Sequence, residues 1–383
     1  MKRPQSNPST TLEAAYAERG LTRRTFAKTS AAALCALALG GLAGCATKTS
    51  GDGSGDGGQA QSDTRTITDL AGDTVEMPAR IDSIVDLWHA HNQIVLMLGA
   101  GAKLVGTTDN FKKMAWANVV YPDLADVESL VTGSGDSQTV NYEELMNLQP
   151  SVVFASSKDM VQQVRDNGFV AVNVMFQDYD GLRNDVALTA EILGDEAKKA
   201  AEAWKKLLDG NIDRVARKTE GIADADKPKV LHIVNKSSFT KVDGIDCIVN
   251  EWIELAGGVN AIGAKGNMIE VAMEDIIAAD PDVIIIGSGA ADAVDALKAD
   301  PAWSGITAVK NDAVYANPTG VFAWDRYSGE EALQVIWAAK MLNPDLFADV
   351  DMAAETKDFY RTFYGYDLTD DQAVRILEGE NPA

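Results

Sequence analysis

Two of the chain's three histidines stand two residues apart, in Leu87-Trp88-His89-Ala90-His91-Asn92-Gln93, at the end of the strand expected over 81–87. Alternate residues on an extended segment point the same way, so His89 and His91 could reach one metal or a haem iron. The competing reading makes one of them a helix cap or a ring packed on Trp88. A second chemical set is Trp324-Asp325-Arg326-Tyr327, which combines an aromatic wall, a cation and a phenol. That combination suits an anionic chelate, a haem propionate or an oxyanion. A surface pair between Arg326 and Asp325 explains Arg326 equally well. Lys236 adds a cation in Asn235-Lys236-Ser237-Ser238-Phe239. The third histidine, His232, falls inside the run Val230 to Val234 and is expected to face the core.

Other chemistries lack their residues. No H-E-x-x-H is present, and His89-Ala90-His91 is followed by Asn92 and Gln93, with no further ligands at metal-site spacing. Gly133-Ser134-Gly135-Asp136 has neither the G-x-S-x-G context of a hydrolase nor the lysine of a phosphate loop.

The elements that must position these residues occur twice. Residues 143–154 read E-E-L-M-N-L-Q-P-S-V-V-F, and residues 274–285 read E-D-I-I-A-A-D-P-D-V-I-I. Each is a short amphipathic helix opened by a glutamate, then a proline that ends it, then a β-branched strand suited to burial on both faces. Upstream, L-G-A-G-A-K-L-V-G (98–106) mirrors L-A-G-G-V-N-A-I-G (255–263). A βαβ design used twice in the same order predicts an α/β fold of two similar doubly wound lobes. Ligand groups in such lobes cluster at the carboxyl ends of strands, which is where the His89 and Trp324 loops fall. Residues 67–77 predict a hairpin about Gly72-Asp73. Residues 81–87, 104–106 and 170–174 predict strands of the first lobe, and 229–234 and 314–317 strands of the second. A helix opens at Asp195 with Gly194 as stop and Asp195 as N-cap, its stripe being Ala197, Ala200, Trp204, Leu208 and Ile212. Residues 330–377 predict a terminal helical region.

The first residues read as an address. Thr22-Arg23-Arg24-Thr25-Phe26-Ala27-Lys28 is a twin-arginine motif, followed by an apolar stretch too short for a membrane span. Leu42-Ala43-Gly44-Cys45 resembles a bacterial lipobox, which implies cleavage before Cys45 and lipidation of its thiol. A Gly/Asp/Ser-rich tether follows. The expected organisation is therefore a signal peptide (1–44), a tether (45–63), an N-terminal lobe (64–182), linker helices (183–227) and a C-terminal lobe with terminal helices (228–383). The expected location is extracytoplasmic, lipid-anchored to the cell membrane. The precursor's formal charge is −23; residues 1–44 carry six Lys/Arg and two Glu, so their removal leaves −27. Such a charge argues against nucleic-acid partners. Of three cysteines, only Cys247 stays free in the mature body, so no intrachain disulfide can form there; it is expected as a buried small hydrophobe.

This order of motifs resembles the solute-binding proteins of ABC importers for iron-siderophore, haem and vitamin B12 compounds. The resemblance is carried by I-T-D-L-A-G-D-T-V (67–75), R-I-D-S-I-V (80–85), the two E-x-x-x-x-x-x-P-x-V segments, A-G-G-V-N (256–260) and F-Y-G-Y-D-L (363–368). It implies two lobes joined by one long rigid helix, placed at 195 to about 218, and a binding protein in place of an enzyme. It implies a monomer with no intrinsic cofactor, carrying an iron chelate or haem as cargo to an ABC permease and its ATPase. Corrinoid, metal–histidine and molybdate-type oxyanion cargoes are the alternatives within the class. A tethered metalloenzyme is the alternative outside it. The resemblance also implies that Glu143 and Glu274 dock on permease arginines. A helix-dipole role is the plainer reading of either glutamate alone. The candidate ligand contacts are Trp88, His89, His91, Lys236, Trp324, Arg326 and Tyr327, with His89 and His91 as the metal-reaching pair.

Overall fold

Proline and left-handed turns punctuate the duplicated segments in the same way. The computed structural model describes residues 63–133, 138–287 and 291–383; the signal peptide, Cys45 and the tether up to residue 62 lie outside them. Helix α2 (Tyr142–Leu148) ends at Gln149 with φ 46°, and α6 (Met273–Ala279) ends at Asp280 with φ 43°. Each left-handed cap is followed by a proline that cannot continue the helix, and then by a fully buried strand. These strands are β7 (Val152–Ala155) and β13 (Val283–Ile286).

The first lobe is a six-stranded sheet in the order β6-β5-β4-β3-β7-β8. Its strands are β3 (Ile84–Asp86), β4 (Leu104–Thr108), β5 (Glu128–Thr132), β6 (Thr139–Val140), β7 and β8 (Ala171–Asn173). All pairings are parallel except the one between β5 and β6. A hairpin of β1 (Thr64–Thr68) and β2 (Thr74–Pro78) precedes it. Its turn is shaped by Asp69, whose Oδ1 accepts from Ala71 and Asp73 N–H. The chain leaves β3 to one side through β4 and to the other through β7. The carboxyl ends of β3 and β7 are thus the switch point, where a doubly wound sheet leaves a crevice.

The second lobe repeats the core of this design and alters its flank. Strand β9 (Lys229–Asn235) pairs in parallel with β13, and β13 with β14 (Val314–Ala316), matching β3-β7-β8. On the other side β10 (Ser238–Val242) returns antiparallel to β9 and carries β12 (Ile269–Glu270). The counterpart of β4 is reduced to β11 (Val259–Asn260), which still pairs in parallel with β9. The sheet is therefore mixed, because an inserted hairpin occupies the space that β4 fills in the first lobe.

The lobes are joined by helix α3 (Tyr179–Leu193) and α4 (Asp195–Thr219). The break expected at 182/183 falls inside α3. Gly194, with φ 105°, is the N-cap of α4 and Asp195 its first helical residue, so the cap expected from Asp195 is absent. Asp195 and Glu196 in the first turn and Arg217 and Lys218 in the last complement the helix dipole. The stripe facing inward is Ala197, Ala201, Trp204, Leu208, Asn211 and Val215, with Ala200 and Ile212 at its margin. It packs on α3 and, in the second lobe, on α5 (Ile248–Leu255) and α7 (Glu331–Leu342). The Trp204 indole donates to the Gly329 carbonyl at 2.7 Å, and Asn211 to the Ala332 carbonyl at 2.8 Å. A Cβ at Gly329 would press on Met97 Sδ at the end of α1 (Asn92–Met97), so a larger residue there would have to displace the Met97 side chain. One hydrophobic cluster consequently runs through both lobes and the linker helices, from Ile67 to Ile376. Such a continuous core favours small adjustments over wide hinge opening.

The candidate ligand cleft

The loop after β3 and the loop after β14 meet between the lobes. Trp88 contacts Tyr327 with ring centroids 5.4 Å apart, and Phe176 completes a triangle at 5.7 Å from Trp88 and 5.6 Å from Tyr327. His89 faces Phe322 at 5.7 Å. The Tyr327 hydroxyl accepts from Asn267 Nδ2 at 2.7 Å and donates to Gln177 Oε1 at 3.3 Å, linking the second lobe to the first. Tyr327 holds φ 57°, a conformation a bulky side chain rarely adopts without external support. Beside this seam lies a cavity of about 190 Å³. It is lined by Lys113, Met114 and Trp116 from the first lobe and by Thr319, Gly320 and Phe322 from the second.

The two histidines of the first loop part company. His91 is fully buried. Its Nδ1 faces Asp86 Oδ2 at 2.7 Å and its Nε2 the Thr189 hydroxyl at 2.9 Å, with Asp185 Oδ1 at 3.6 Å. Burial opposes its charge, but Asp86 and Asp185 outweigh burial and raise its pKa. Both ring nitrogens are thus committed to the body of the lobe, and His91 is a correction to the expected metal pair: His89 and His91 do not converge. Among the described residues no group of three or more His, Cys, Asp or Glu is arranged to hold a metal ion. The reason is local. Asp86 ends β3 and takes Trp88 N–H at 3.1 Å, turning the chain straight into α1, so the loop is not extended. His89 is half-buried, its Nδ1 has no partner, and burial lowers its pKa, leaving a neutral imidazole at the seam.

The other candidates also separate. Arg326 is buried, with Nη2 on Asp243 at 2.5 Å, Nε on Asp325 at 3.2 Å and Nη1 on Asn267 at 2.9 Å. Its pairing with Asp325 is real but internal, correcting both the free cleft cation and the surface pair. Burial works against its charge, and the two carboxylates more than restore it. His232 is buried as expected, but its Nδ1 bonds Asp243 at 2.8 Å and its Nε2 lies 3.2 Å from Asp325, so the core it faces is polar. Trp324 is fully buried in the main hydrophobic cluster and forms no cleft wall. Lys236 is exposed and paired with Asp292 at 2.9 Å. Cys247 is buried and free, its thiol pKa raised by burial. Glu143 and Glu274 are both exposed, at the second residue of α2 and α6.

Sequence reasoning did not find Asp185, Thr189, Asp243, Asn267, Phe176 or Gln177. Asp86 was legible as an acid closing the apolar run Ile84-Val85, a position where burial demands a partner. The register also shows that Asp86 and His232 are equivalent: Asp86 sits opposite Phe154 on β7, and His232 opposite Ile285 on β13. Each lobe thus buries one acid–histidine pair, with the partners exchanged.

The sequence pattern of the periplasmic binding protein family matches residues 84–319. The molybdate-binding protein MolA of Haemophilus influenzae is 31% identical over 343 residues, covering 81% of this chain and 94% of that protein. The Fe(3+)-citrate-binding protein YfmC of Bacillus subtilis is 24% identical, covering 80% of this chain and 94% of its own. The crystal structure of MolA bound to molybdate matches with a TM-score of 0.70 and 25% identity, over 80% of this chain and 99% of MolA. With two α/β lobes, a rigid helical join and a cleft between strand ends, this chain belongs to the periplasmic binding protein family, the solute-binding proteins of ABC transporters.

Proposed function

We propose that this protein captures a small oxyanion of the molybdate and tungstate class between its lobes and presents it to an ABC permease. The observation that carries the reading is the small cavity of about 190 Å³ lined by both lobes, whose wall residue Phe322 is faced by the ring of His89, with its unpartnered Nδ1. Sites for larger ligands generally occupy roughly 300–1,000 Å³. A neutral imidazole can donate one hydrogen bond to an anion without a buried charge of its own. The iron-compound reading expected two converging histidines and a free Arg326, whereas His91 and Arg326 are spent inside the lobes. Similarity to MolA supports the oxyanion and similarity to YfmC the ferric chelate, so both belong in the test.

Titration calorimetry of the purified protein with molybdate, tungstate, sulfate, ferric citrate and haemin separates the readings. Saturable binding of molybdate and tungstate is expected. His89→Ala should weaken it by roughly 10- to 150-fold, the worth of one hydrogen bond to a charged group. Tight binding of ferric citrate or haemin with neither oxyanion bound overturns the proposal.

Docking falls to Glu143 and Glu274, which occupy equivalent exposed positions on the two lobes. Two separated carboxylates set register and association rate on a cationic partner surface. Lipidation at Cys45 keeps the protein near that partner; Cys45→Ala should move it from the membrane fraction to the soluble fraction.

A further inference from the structure

Among the described residues six large hydrophobic side chains are exposed: Met146, Val259, Met268, Ile277, Leu346 and Val374. Met146 is 51% exposed and Ile277 53% exposed. They stand three residues after Glu143 and Glu274, each one position past the single buried residue of its helix, Leu145 or Ile276. The other four have no large exposed hydrophobic counterpart in the opposite lobe. Surface hydrophobics scattered singly need no explanation. A matched pair at equivalent places on two helices, each beside an exposed glutamate, is not scatter.

Residues three apart on a helix lie on one face, so each glutamate and its apolar neighbour form one surface unit. Glu144 and Asp275 add acid to the same turns, and neither Met146 nor Ile277 has a packing role in the hydrophobic clusters. We propose that Met146 and Ile277 are twin apolar anchors that insert into two hydrophobic sockets, each rimmed by cations, on the permease's outer surface. This rests on the docking reading of Glu143 and Glu274 and adds the contact that holds the complex once charge has aligned it. Exposed charges act on encounter rate and are screened by salt, whereas buried apolar anchors act on dissociation. The acidic turns keep the same side chains from acting as a self-association surface, since two copies would bring like charges together.

The test measures binding of the mature protein to its permease–ATPase complex in nanodiscs over a range of salt, without ligand and with molybdate as probe. The pair Met146→Ser and Ile277→Ser should weaken binding about tenfold or more, mainly by faster dissociation, with the salt dependence unchanged. Met146→Leu with Ile277→Leu should stay within about twofold of wild type, because apolar character is what the sockets read. Glu143→Lys with Glu274→Lys should slow association and reduce its salt dependence. If the serine pair binds like wild type while the glutamate reversal does not, the anchors are refuted and the charge docking stands. If neither change affects binding, the docking reading fails and the anchors with it.

Discussion

Arg326→Ala is expected to destabilise the folded protein by about 3–5 kcal/mol, the range for breaking a buried ion pair by removing one partner. The guanidinium bridges Asp243 and Asp325, and both carboxylates are buried. Burial raises the pKa of each, yet Arg326 and His232 together hold both below the ordinary carboxylate range. Without the arginine, His232 alone faces two buried acids. A group with a depressed folded pKa contributes stability above its unfolded pKa and loses it as pH falls through the folded one. The loss in Arg326→Ala should therefore be full at neutral pH and smaller below about pH 4. Arg326→Lys should recover only part, because an ammonium cannot span two carboxylates and an amide in a planar fork. Urea unfolding of the three proteins at pH 7 and pH 4 measures this. Wild-type unfolding midpoints combined with a loss of ligand affinity would instead place Arg326 in contact with cargo.

Asp185→Asn is expected to flatten the pH dependence of stability between about pH 5 and pH 8. Burial pushes the Asp185 carboxyl up to about 7, with the neighbouring Asp86 adding to the rise and His91 opposing it. The His91 pKa is raised as well, its acids overcoming burial. Both shifts make the folded state bind protons more tightly than the unfolded chain, so stability falls as pH rises. For Asp185 the fall begins near the unfolded carboxylate value and is complete just above pH 7. For His91, the contribution is whole below the unfolded histidine value and is lost as pH passes the raised folded one. Removing the Asp185 titration should shrink the stability difference between pH 5 and pH 8 by about 2–3 kcal/mol, one proton's worth over roughly two pH units. Thermal unfolding across that range checks it. An unchanged slope would mean that Asp185 ionises normally, which its burial makes costly.

The duplicated design, the central parallel strands β3, β7, β9 and β13 and the long helix α4 were legible because each rests on local physics. A proline after a short amphipathic run ends a helix whatever surrounds it, and a Val/Ile run needs burial on both faces. The equivalence of Glu143 with Glu274 follows from the same repeated spacing, while their docking role is what the family resemblance implies. The aligned segments also carry matching apolar residues at Met146 and Ile277, three past each glutamate, but their exposure is known only from the fold.

The cleft was not legible in the same way. His89 and His91 look like a pair on paper, but Asp86, Thr189 and Asp185 come from β3 and α3, and only packing brings them to His91. Arg326 reads as a free cation until Asp243 arrives from the end of β10, 83 residues earlier in the chain. In both cases the competitor for the side chain was a buried carboxylate from another element. Sequence spacing determines which way neighbouring side chains leave the backbone. Which buried charge each of them must neutralise depends on what the folded chain packs against it, and that is decided only in three dimensions.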